Sequence, residues 1–550
     1  MAKTFFVLLR QLVAPAGESE SRLPARVADR IGCEPEDIVS FQVVRRSLDA
    51  RKRRGKAVNV YHIRLELPNR LKKQLRKTPG LDLVFDPVSK TALSLTDPAP
   101  KTRSPRPLVV GAGPAGLFAT LRLARAGWKP ILIDRGDDLD RRRGVTADFW
   151  RQGNLDPESN VLYGEGGAGL FSDGKLNTRH KDREGMRAIL GVLVEAGAPE
   201  SILVDAEPHV GSDLLGEVVA NVREEILRFG GEIRYRCRLS GLLADDGAVR
   251  EAVLQTASGT ENLAIGACIL ACGHSARDVY EMLDKIGLRL EAKPFAVGLR
   301  VEIPQEEVDA SQRIGRFKPG PGEAASFRLS RPPEGVAAAC YTFCMCPGGQ
   351  VIACASEPGR LAVNGMSLHA RAGDWANAAF LSPVTSDDFA DIAPAVPPAL
   401  AGIAFQRHWE EKAYQAGLPE GPYAVPCAGL EDFLRGGSAS LPVRRGTGRA
   451  AAADLRTLLP ERIAETLVDA VPAMLARMRS VRPEHAVLYG VESRTSSPVR
   501  IVRDEGGQAT GLDGVYPAGE GAGYAGGIMT SALDGWKAAA CLMAGTAKTV

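Results

Sequence analysis

The chain of 550 residues contains no hydrophobic run long enough to cross a membrane. A membrane-spanning helix needs roughly 18 to 20 consecutive apolar residues. The N-terminal segment MAKTFFVLLRQLV is interrupted by Arg10, and no small-residue cleavage site follows it, which argues against a secretory signal. We therefore interpret this segment as a first β-strand and expect a soluble protein of the cytoplasm.

The sequence also has few cysteines and almost no net charge. Its ten cysteines lie mostly in apolar stretches such as CILAC, which predicts free thiols rather than a disulfide scaffold. The net charge of +3 is too small to predict nucleic-acid or membrane binding by the chain as a whole. With 45% hydrophobic and 25% charged residues, the composition is that of a globular protein.

The first motif that carries chemistry is G-x-G-x-x-G at Gly111, Gly113 and Gly116, between the apolar strand PLVV and a predicted helix. The glycines allow a tight turn, close approach of a pyrophosphate and close helix–strand packing, and the helix N-terminus binds the diphosphate. Asp134 ends the next predicted strand and would accept hydrogen bonds from a ribose. The alternative, a glycine turn of any α/β protein, is disfavoured because strand, helix and acid are all in register.

A second motif near the C-terminus distinguishes FAD from NAD. In GVYPAGEGAGYAGG, Glu520 follows an apolar strand and precedes a helix that begins near Gly526. A carboxylate there would bind the ribityl hydroxyls of FAD, and the helix N-terminus would stabilise negative charge on the reduced flavin. NAD would need no such second half-site. We find no second G-x-G-x-x-G after a strand, so NAD(P)H would bind only transiently, and the electron donor or acceptor stays open.

Several motifs together resemble a known group of proteins. VVGAGPAGL, ILACGHSARD and GVYPAGEGAGYAGGIMTSALDGWKAA resemble the FAD-binding domain of the glutathione-reductase-like, two-dinucleotide-binding flavoproteins. GEGGAGLFSDGKLNTR, TFCMCPGGQVIACASE, VNGMS and ESRTSSPVRI resemble a bacterial family of FAD-dependent dehydrogenases whose physiological reaction is unassigned. Related flavoproteins more often carry Asp at the ribityl position and Glu at the ribose position. Here Glu520 is at the ribityl position and Asp134 is at the ribose position. Both are still carboxylate acceptors, but the lengths of the two side chains are exchanged.

The glycine-rich segment VLYGEGGAGLFSDGKLNTR, residues 161–179, is predicted to lie against the flavin. Its glycines, Gly164 among them, would let the main chain approach the cofactor, and Ser172, Asp173 and Lys175 would face the ring or a substrate. A flexible loop is the alternative. The cofactor-binding residues predicted from all these motifs are Gly111, Gly113, Pro114, Ala115, Gly116, Asp134, Arg135, Gly166, Gly167, Ala168, Gly169, Ser172, Asp173, Gly273, Gly519, Glu520, Gly526, Gly527 and Ile528.

The predicted catalytic residues are Glu492, Arg494 and Lys175. Arg494 would hold an anionic substrate or stabilise reduced flavin, and Glu492 would move a proton. A surface salt bridge beside a capped turn is an equally weighted alternative. No residues are predicted to bind a metal.

Three cysteines stand at even spacing in CYTFCMCPGG, so a regular strand would place Cys340, Cys344 and Cys346 on one face. A redox relay to the flavin is one interpretation. Buried small hydrophobic residues are favoured instead, because C-x-C on a regular strand suits a disulfide poorly. Of the histidines, His274 is predicted to be a polar strand-end residue near the cofactor, and His180 is a weaker functional candidate.

A basic run, RRSLDARKRRGK at residues 45–56, suggests a competing function. Such a hairpin would grip phosphates, which would make the protein a flavoenzyme acting on RNA or another polyanion. A solvated hairpin is favoured, because no aromatic stacking platform is interleaved with the basic residues. A flavin-bound interaction protein with little turnover is the third alternative.

The sequence as a whole predicts an α/β fold: a Rossmann-like FAD-binding domain with an inserted α+β cap domain for the substrate and a small N-terminal ferredoxin-like module. The predicted boundaries are 1–97 for the module, 105–289 and 482–550 for the two parts of the FAD-binding domain, and 290–481 for the cap. The proline-rich stretch TDPAPKTRSPRP predicts a linker after the module. The predicted function is that of an oxidoreductase that exchanges a hydride or electrons between FAD and an unidentified small-molecule substrate.

Overall fold

The computed structural model describes residues 4–49, 57–75, 78–84, 105–178, 180–312, 324–333, 338–389, 392, 395–437 and 449–548. Most of the predicted linker and residues 50–56 of the basic run lie outside these ranges. Among the described helices, none is both long and apolar enough to cross a membrane.

The N-terminal region folds into an antiparallel sheet with helices on one face. Its first strand alternates buried and more exposed side chains, as Val7 and Leu9 illustrate, which is the pattern of a strand with one face against a core. The sheet order is β2-β3-β1-β4. The elements are β1 (Thr4–Pro15), α1 (Leu23–Ile31), β2 (Ser40–Asp49), β3 (Val58–Pro68), α2 (Lys72–Leu75) and β4 (Leu81–Val84).

The second region contains the G-x-G-x-x-G motif, three short buried strands at residues 108–110, 131–133 and 268–270, and a three-stranded antiparallel sheet within residues 238–264. Short, wholly apolar strands of this kind are typical of a parallel sheet that is covered on both faces. Its elements are β5 (Leu108–Val110), α3 (Pro114–Arg125), β6 (Ile131–Ile133), α4 (Leu139–Gln152), α5 (Arg183–Glu195), α6 (Ser212–Arg228), β7 (Glu232–Arg234), β8 (Arg238–Asp245), β9 (Ala248–Thr256), β10 (Gly259–Ala264), β11 (Cys268–Leu270), α7 (Arg277–Lys285) and β12 (Leu290–Ala292).

The third region is mainly β-structure, and the chain then returns to the second region. The third region comprises β13 (Ala296–Pro304), α8 (Gln305–Gln312), β14 (Ser330–Arg331), β15 (Cys340–Cys346), β16 (Gln350–Cys354), β17 (Ala362–Met366), β18 (Trp375–Pro383), α9 (Ala401–Gly417), β19 (Val425–Gly429), α10 (Leu430–Arg435), β20 (Ala450–Ala452), α11 (Glu461–Leu475) and β21 (Val487–Glu492). The returning elements are β22 (Val499–Ile501), β23 (Val515–Pro517) and α12 (Ile528–Lys548).

The returning strand β23 completes a five-stranded parallel sheet of order β23-β11-β5-β6-β7. The C-terminal helix α12 packs against α3, where Phe118 and Trp536 make an edge-to-face ring contact with centroids 6.5 Å apart. Arg122 also donates to the backbone oxygen of Trp536 over 2.9 Å. The two ends of the predicted FAD-binding region therefore meet in one layer of the molecule.

The third region forms a seven-stranded mixed sheet of order β14-β15-β18-β13-β21-β19-β20. The predicted cap ended at residue 481, but β21 lies between β13 and β19 in this sheet. At the other end, β12 pairs with the returning strand β22 rather than with this sheet. The sheet thus extends to Glu492, the last residue of β21.

Candidate cofactor and active site

The carboxyl ends of four parallel strands converge on one pocket. Gly111 follows β5, Asp134 follows β6, Gly273 comes shortly after β11, and Glu520 comes shortly after β23. All four border the same pocket. This placement follows from the parallel order, because the carboxyl ends of parallel strands lie at one edge of the sheet and ligands bind there.

The start of α3 provides an open anion site. Gly113 is its N-cap residue and makes no side-chain capping bond, so the first N–H groups of the helix are left for a ligand. A Cβ on Gly167 would come within 2.8 Å of the Gly113 Cα. The glycine-rich segment therefore packs backbone to backbone against this turn, which a larger residue at position 167 would not allow.

Most of the predicted cofactor-binding residues border the pocket. Those that do are Gly111, Gly113, Pro114, Ala115, Asp134, Arg135, Gly167, Ala168, Gly169, Ser172, Asp173, Gly273, Glu520, Gly527 and Ile528. Gly116, Gly166, Gly519 and Gly526 do not border it. A Cβ on Gly116 would lie 1.8 Å from the Gly111 oxygen, and the Gly166 N–H donates to the Ala112 oxygen over 2.9 Å. Gly116 and Gly166 thus shape the loops that touch the pocket.

Asp134 is already engaged by the backbone around it. Its two carboxylate oxygens accept from the N–H of Ala112 over 2.7 Å and from the N–H of Gly136 over 2.8 Å. Each oxygen keeps lone pairs for a ribose. Beside it, Arg135 is held by Glu158 over 2.8 Å, so its guanidinium fixes the pocket wall.

The sequence motifs did not predict that residues 237–239 border the pocket. These residues, from Cys237 through Leu239, line the end of the pocket near Asp134. Cys237 and Leu239 are buried. They lie in IRYRCRLSG, residues 233–241, where arginine alternates with other residues. This pattern is that of a strand and does not indicate a nucleotide site, so only the fold brings these residues to the Asp134 end.

At the opposite end, Glu520 lies near His274, with 3.9 Å between Glu520 Oε1 and His274 Nε2. Burial raises the pKa of Glu520 to about 7. Burial, together with the positive charge of Arg494, lowers the pKa of His274 to about 3, so this ring is neutral near pH 7. The space around Gly273 and Gly527 is open, since a Cβ at either would meet no atom within 4 Å.

The predicted catalytic residues border this same end of the pocket, and Glu492 and Arg494 are not on the surface. Glu492 is 3% exposed and accepts two bonds from Arg300, over 2.9 and 3.0 Å. Burial raises the pKa of Glu492 despite this cation. Arg300 also donates to Asn377 over 2.7 Å and to Asn364 over 3.1 Å. The cluster therefore joins three strands of the seven-stranded sheet to β17, which pairs with β16 in a separate two-stranded sheet.

Arg494 belongs to a second buried cluster. Its guanidinium donates to Glu410 over 2.7 and 3.0 Å and to the Ser356 hydroxyl over 2.7 Å. Glu410 also accepts from Arg277 over 2.8 and 2.9 Å. Burial opposes ionisation of Glu410, but Arg277 and Arg494 together hold its pKa far below the ordinary value. The alternative of a surface salt bridge is therefore wrong for Arg494.

Lys175 and Asp173 form a third charged group at the pocket. Lys175 Nζ lies 3.1 Å from an Asp173 oxygen and donates to the Met345 carbonyl. Asp173 also accepts from Arg371, over 3.0 Å at one contact, and from the Ser367 hydroxyl. One carboxylate thus faces two cations, so these three charged side chains carry a net charge of +1. Burial disfavours the charged amine, yet Cys346 and Asp173 raise the pKa of Lys175 overall.

The three cysteines do not share one face of a regular strand, contrary to the prediction. The pairing of β15 with β18 shifts register between Phe343 and Cys346, and Cys344 has a φ of 44°. This bulge leaves Cys340 and Cys346 buried, while Cys344 borders the pocket.

His180 lies on an exposed segment and does not border the pocket.

The described part of the basic run is partly neutralised. Arg46 pairs with Asp205 over 2.8 Å and with Glu20 over 3.1 Å, which joins the N-terminal sheet to the second region. A separate groove is bordered by Arg45, Ser47 and His62. The prediction of phosphate binding by residues 50–56 falls outside the described residues.

Comparison with known proteins gives one extensive match. A protein of Clostridium beijerinckii, described as uncharacterised, is 39% identical over 524 residues, which cover 94% of this chain and 95% of that protein. The chain belongs to the same family as this clostridial protein. Residues 294–495 match a family described as FAD-dependent protein, C-terminal domain-like, and residues 9–66 match a domain of unknown function.

Solved structures give only distant likenesses. The E. coli quinol fumarate reductase is 13% identical with a TM-score of 0.37, covering 81% of this chain and 71% of that one. A geranylgeranyl bacteriochlorophyll reductase-like protein of Thermoplasma acidophilum is 10% identical with a TM-score of 0.34, covering 81% and 79%. Scores this low carry no argument about this protein. The family of residues 294–495 makes FAD its cofactor.

The pocket fits FAD by its own construction. The uncapped start of α3 suits a diphosphate, and the open space at Gly273 and Gly527 leaves room at the Glu520 end. Asp134 and Glu520 place a carboxyl at each end of the same pocket. The predicted cofactor agrees with this donor set.

Proposed function

We propose that the protein is an FAD-dependent oxidoreductase that exchanges a hydride or electrons between FAD and a small-molecule substrate. The observation that carries the proposal is the single pocket that runs from the Gly111 turn, past Glu520, to the wall formed by Lys175, Glu492 and Arg494. A cofactor site that continues directly into a wall of ionisable groups is the arrangement that redox catalysis requires.

In this proposal, residues that follow β5, β6 and β23 at the carboxyl edge of the parallel sheet bind different parts of FAD. The start of α3 binds the diphosphate, Asp134 accepts from the ribose, and Glu520 accepts from the ribityl chain. The N-terminus of α12, beginning at Ile528, faces the same end of the pocket as Glu520 and favours negative charge there. Bound FAD would supply the two-electron chemistry.

The chain's own residues then act on charge and protons. The Asp173–Lys175–Arg371 group, with its net positive charge, stabilises an anion at this end of the pocket, either reduced flavin or an anionic substrate. Glu492, with its raised pKa, holds or receives a substrate proton. Each guanidinium nitrogen of Arg494 already donates to Glu410 or Ser356, so Arg494 positions the wall rather than releasing these bonds to a substrate.

We also propose the finer fold relationships. The parallel order β23-β11-β5-β6-β7 supports a Rossmann-type FAD-binding domain of the glutathione-reductase-like kind, with the seven-stranded sheet as a substrate cap. The order β2-β3-β1-β4, with one helix after β1 and one after β3, supports a ferredoxin-like N-terminal module. NAD(P)H, bound transiently against the flavin, is the proposed electron donor to test first.

The proposal is tested by purifying the full chain and recording its visible spectrum, then adding NADH, NADPH or pooled metabolites without oxygen. We expect a flavin spectrum that bleaches with at least one of these donors. A protein that stays colourless after reconstitution with FAD would contradict the proposal. A flavin that bleaches with dithionite but with none of these donors would exclude the pyridine nucleotides as donors.

A further inference from the structure

The C-x-C segment of β15 is distorted where it meets the pocket. Phe343 pairs with Ala379, and Cys346 pairs with Asn377, so β15 contains one residue more than β18 between these pairs. The extra residue makes a β-bulge, and such bulges redirect a side chain. Cys344 takes the positive φ within it, a conformation that a residue with a Cβ adopts only at a conformational cost.

The bulge brings one thiol to the pocket and keeps the other behind it. Cys344 borders the pocket beside Lys175 and Glu492, whereas Cys346 is fully buried. Each thiol shifts the pKa of the other: Cys346 lowers the pKa of Cys344, and Cys344 together with burial raises that of Cys346. Cys346 Sγ also contacts the Cys344 carbonyl oxygen over 3.3 Å.

Two cations contact the backbone of this pair, and each is also paired with a carboxylate, Lys175 with Asp173 and Arg300 with Glu492. Lys175 donates to the carbonyl of Met345, the residue between the two cysteines. Arg300 donates to the carbonyl of Cys344 over 3.1 Å. Cations this close favour a thiolate, and a thiolate is the reactive form of cysteine. Cysteines that served only as packing would need neither the strained φ nor the two cations.

We propose that Cys344 and Cys346 form a redox-active dithiol that exchanges two electrons with the bound FAD. The Cys344 thiolate and the Cys346 thiol lose two electrons and form one S–S bond, while oxidised FAD takes both electrons and the proton of Cys346. The products are one disulfide and the FADH⁻ anion, so atoms and charge balance. The reverse reaction restores the dithiol. This proposal rests on the cofactor site described under the proposed function.

The objection from a regular strand no longer holds for these residues. Neighbours at i and i+2 on an extended strand point the same way at a spacing that suits a disulfide poorly. The positive φ of Cys344 breaks this extended geometry, and it places the Cys346 thiol 3.3 Å from the Cys344 carbonyl oxygen. The bulge therefore allows a Cys344–Cys346 disulfide, with Cys344 at the pocket where FAD binds.

The test is an anaerobic titration of the air-oxidised holoprotein with dithionite, counting electrons per FAD. A flavin alone takes two electrons, so we expect four for the wild type and two for the variants Cys344→Ser and Cys346→Ser. Cys33→Ser, a half-buried thiol of the N-terminal module, is the matched control and should keep four. A wild type that takes only two electrons would overturn the proposal.

Two further readouts do not depend on turnover, and the first of them needs no variant. Alkylation of the denatured oxidised wild type, followed by mass spectrometry, should find Cys344 and Cys346 blocked as a disulfide and both free after dithionite. Cys346→Ser, which keeps the thiolate beside oxidised flavin, should show a long-wavelength absorption band that Cys344→Ser lacks. If the protein contains flavin but both thiols are alkylated in the oxidised state, the dithiol proposal is wrong and the proposed function is unaffected. If the protein binds no flavin, the proposed function itself is wrong.

Discussion

One wall of the pocket is formed mainly by main-chain atoms and the other mainly by charged side chains. The wall along the parallel sheet is backbone, shaped by glycines such as Gly113 and Gly167 that let two loops touch. The wall along the seven-stranded sheet is made of buried charged side chains, such as the Arg300–Glu492 pair. A backbone wall can bind a constant cofactor through N–H groups, whereas a side-chain wall can be changed to suit a substrate.

The largest effect is expected from breaking the backbone wall with Gly116→Ala. The new Cβ would lie 1.8 Å from the Gly111 oxygen, so the turn that holds the diphosphate must open. We expect loss of bound FAD and destabilisation by about 4 kcal/mol, measured by the flavin-to-protein absorbance ratio and by denaturant unfolding. Gly144→Ala is the control, because its Cβ meets nothing within 4 Å. Full flavin content in Gly116→Ala would refute the assignment of this turn.

The next largest effect is expected from Glu410→Gln in the side-chain wall. The change leaves Arg277 and Arg494 buried without their shared carboxylate, which costs about 3 kcal/mol when one partner of a buried pair is removed. Unfolding in urea measures the loss. Glu411→Gln, at the exposed neighbouring position of the same helix, should leave stability within about 0.5 kcal/mol of the wild type. Equal stability of the two variants would show that this cluster does not support the wall.

A smaller effect is expected on the flavin potential from Lys175→Met. Removing one cation from the Asp173–Lys175–Arg371 group leaves it neutral, so the reduced anionic flavin is less stable. We expect the midpoint potential to fall by about 30 mV, equivalent to about 1.4 kcal/mol, in anaerobic titrations with indicator dyes. Lys181→Met, an exposed lysine, is the control. An unchanged potential in Lys175→Met would place this group away from the ring.

The smallest effect is expected from Glu520→Gln on the pH dependence of stability. Because the folded pKa of Glu520 is raised to about 7, the folded state keeps a proton that the unfolded state has lost. The full shift would lower the stability of the flavin-free wild type by about 3 kcal/mol as the pH rises from about 4.5 to 7. Because the Glu520 side chain is 26% exposed, solvent screening reduces the expected fall to about 1 kcal/mol. Glu520→Gln should lack this fall, as followed by thermal unfolding across this range. Parallel curves for the two proteins would contradict the burial of this carboxyl.

The same comparison shows what the sequence was able to predict. The backbone wall was largely predictable, because Gly111, Gly113 and Gly116 act through their immediate neighbours in a strand–turn–helix unit. The side-chain wall was not, since Arg300 lies 192 residues from Glu492 in the chain. The sequence marked Glu492 and Arg494 as candidates but gave no sign of the residues that hold them.

The cysteines show the same limit at short range. Even spacing predicted one shared face, which depends on a regular strand. The bulge at Cys344 arises from the pairing of β15 with β18, whose partner residues lie more than 30 positions further along the chain. A local pattern therefore predicted the strand but not its defect, and the defect is what brings the thiol to the pocket.

The most direct test of the account is a crystal structure of the protein with FAD bound. The account predicts the diphosphate at the start of α3 beside Gly113 and the isoalloxazine ring at the other end of the pocket. There the ring should lie between Glu520 and the wall that carries Cys344 and Lys175. A flavin bound elsewhere, or a ring directed away from that wall, would contradict it.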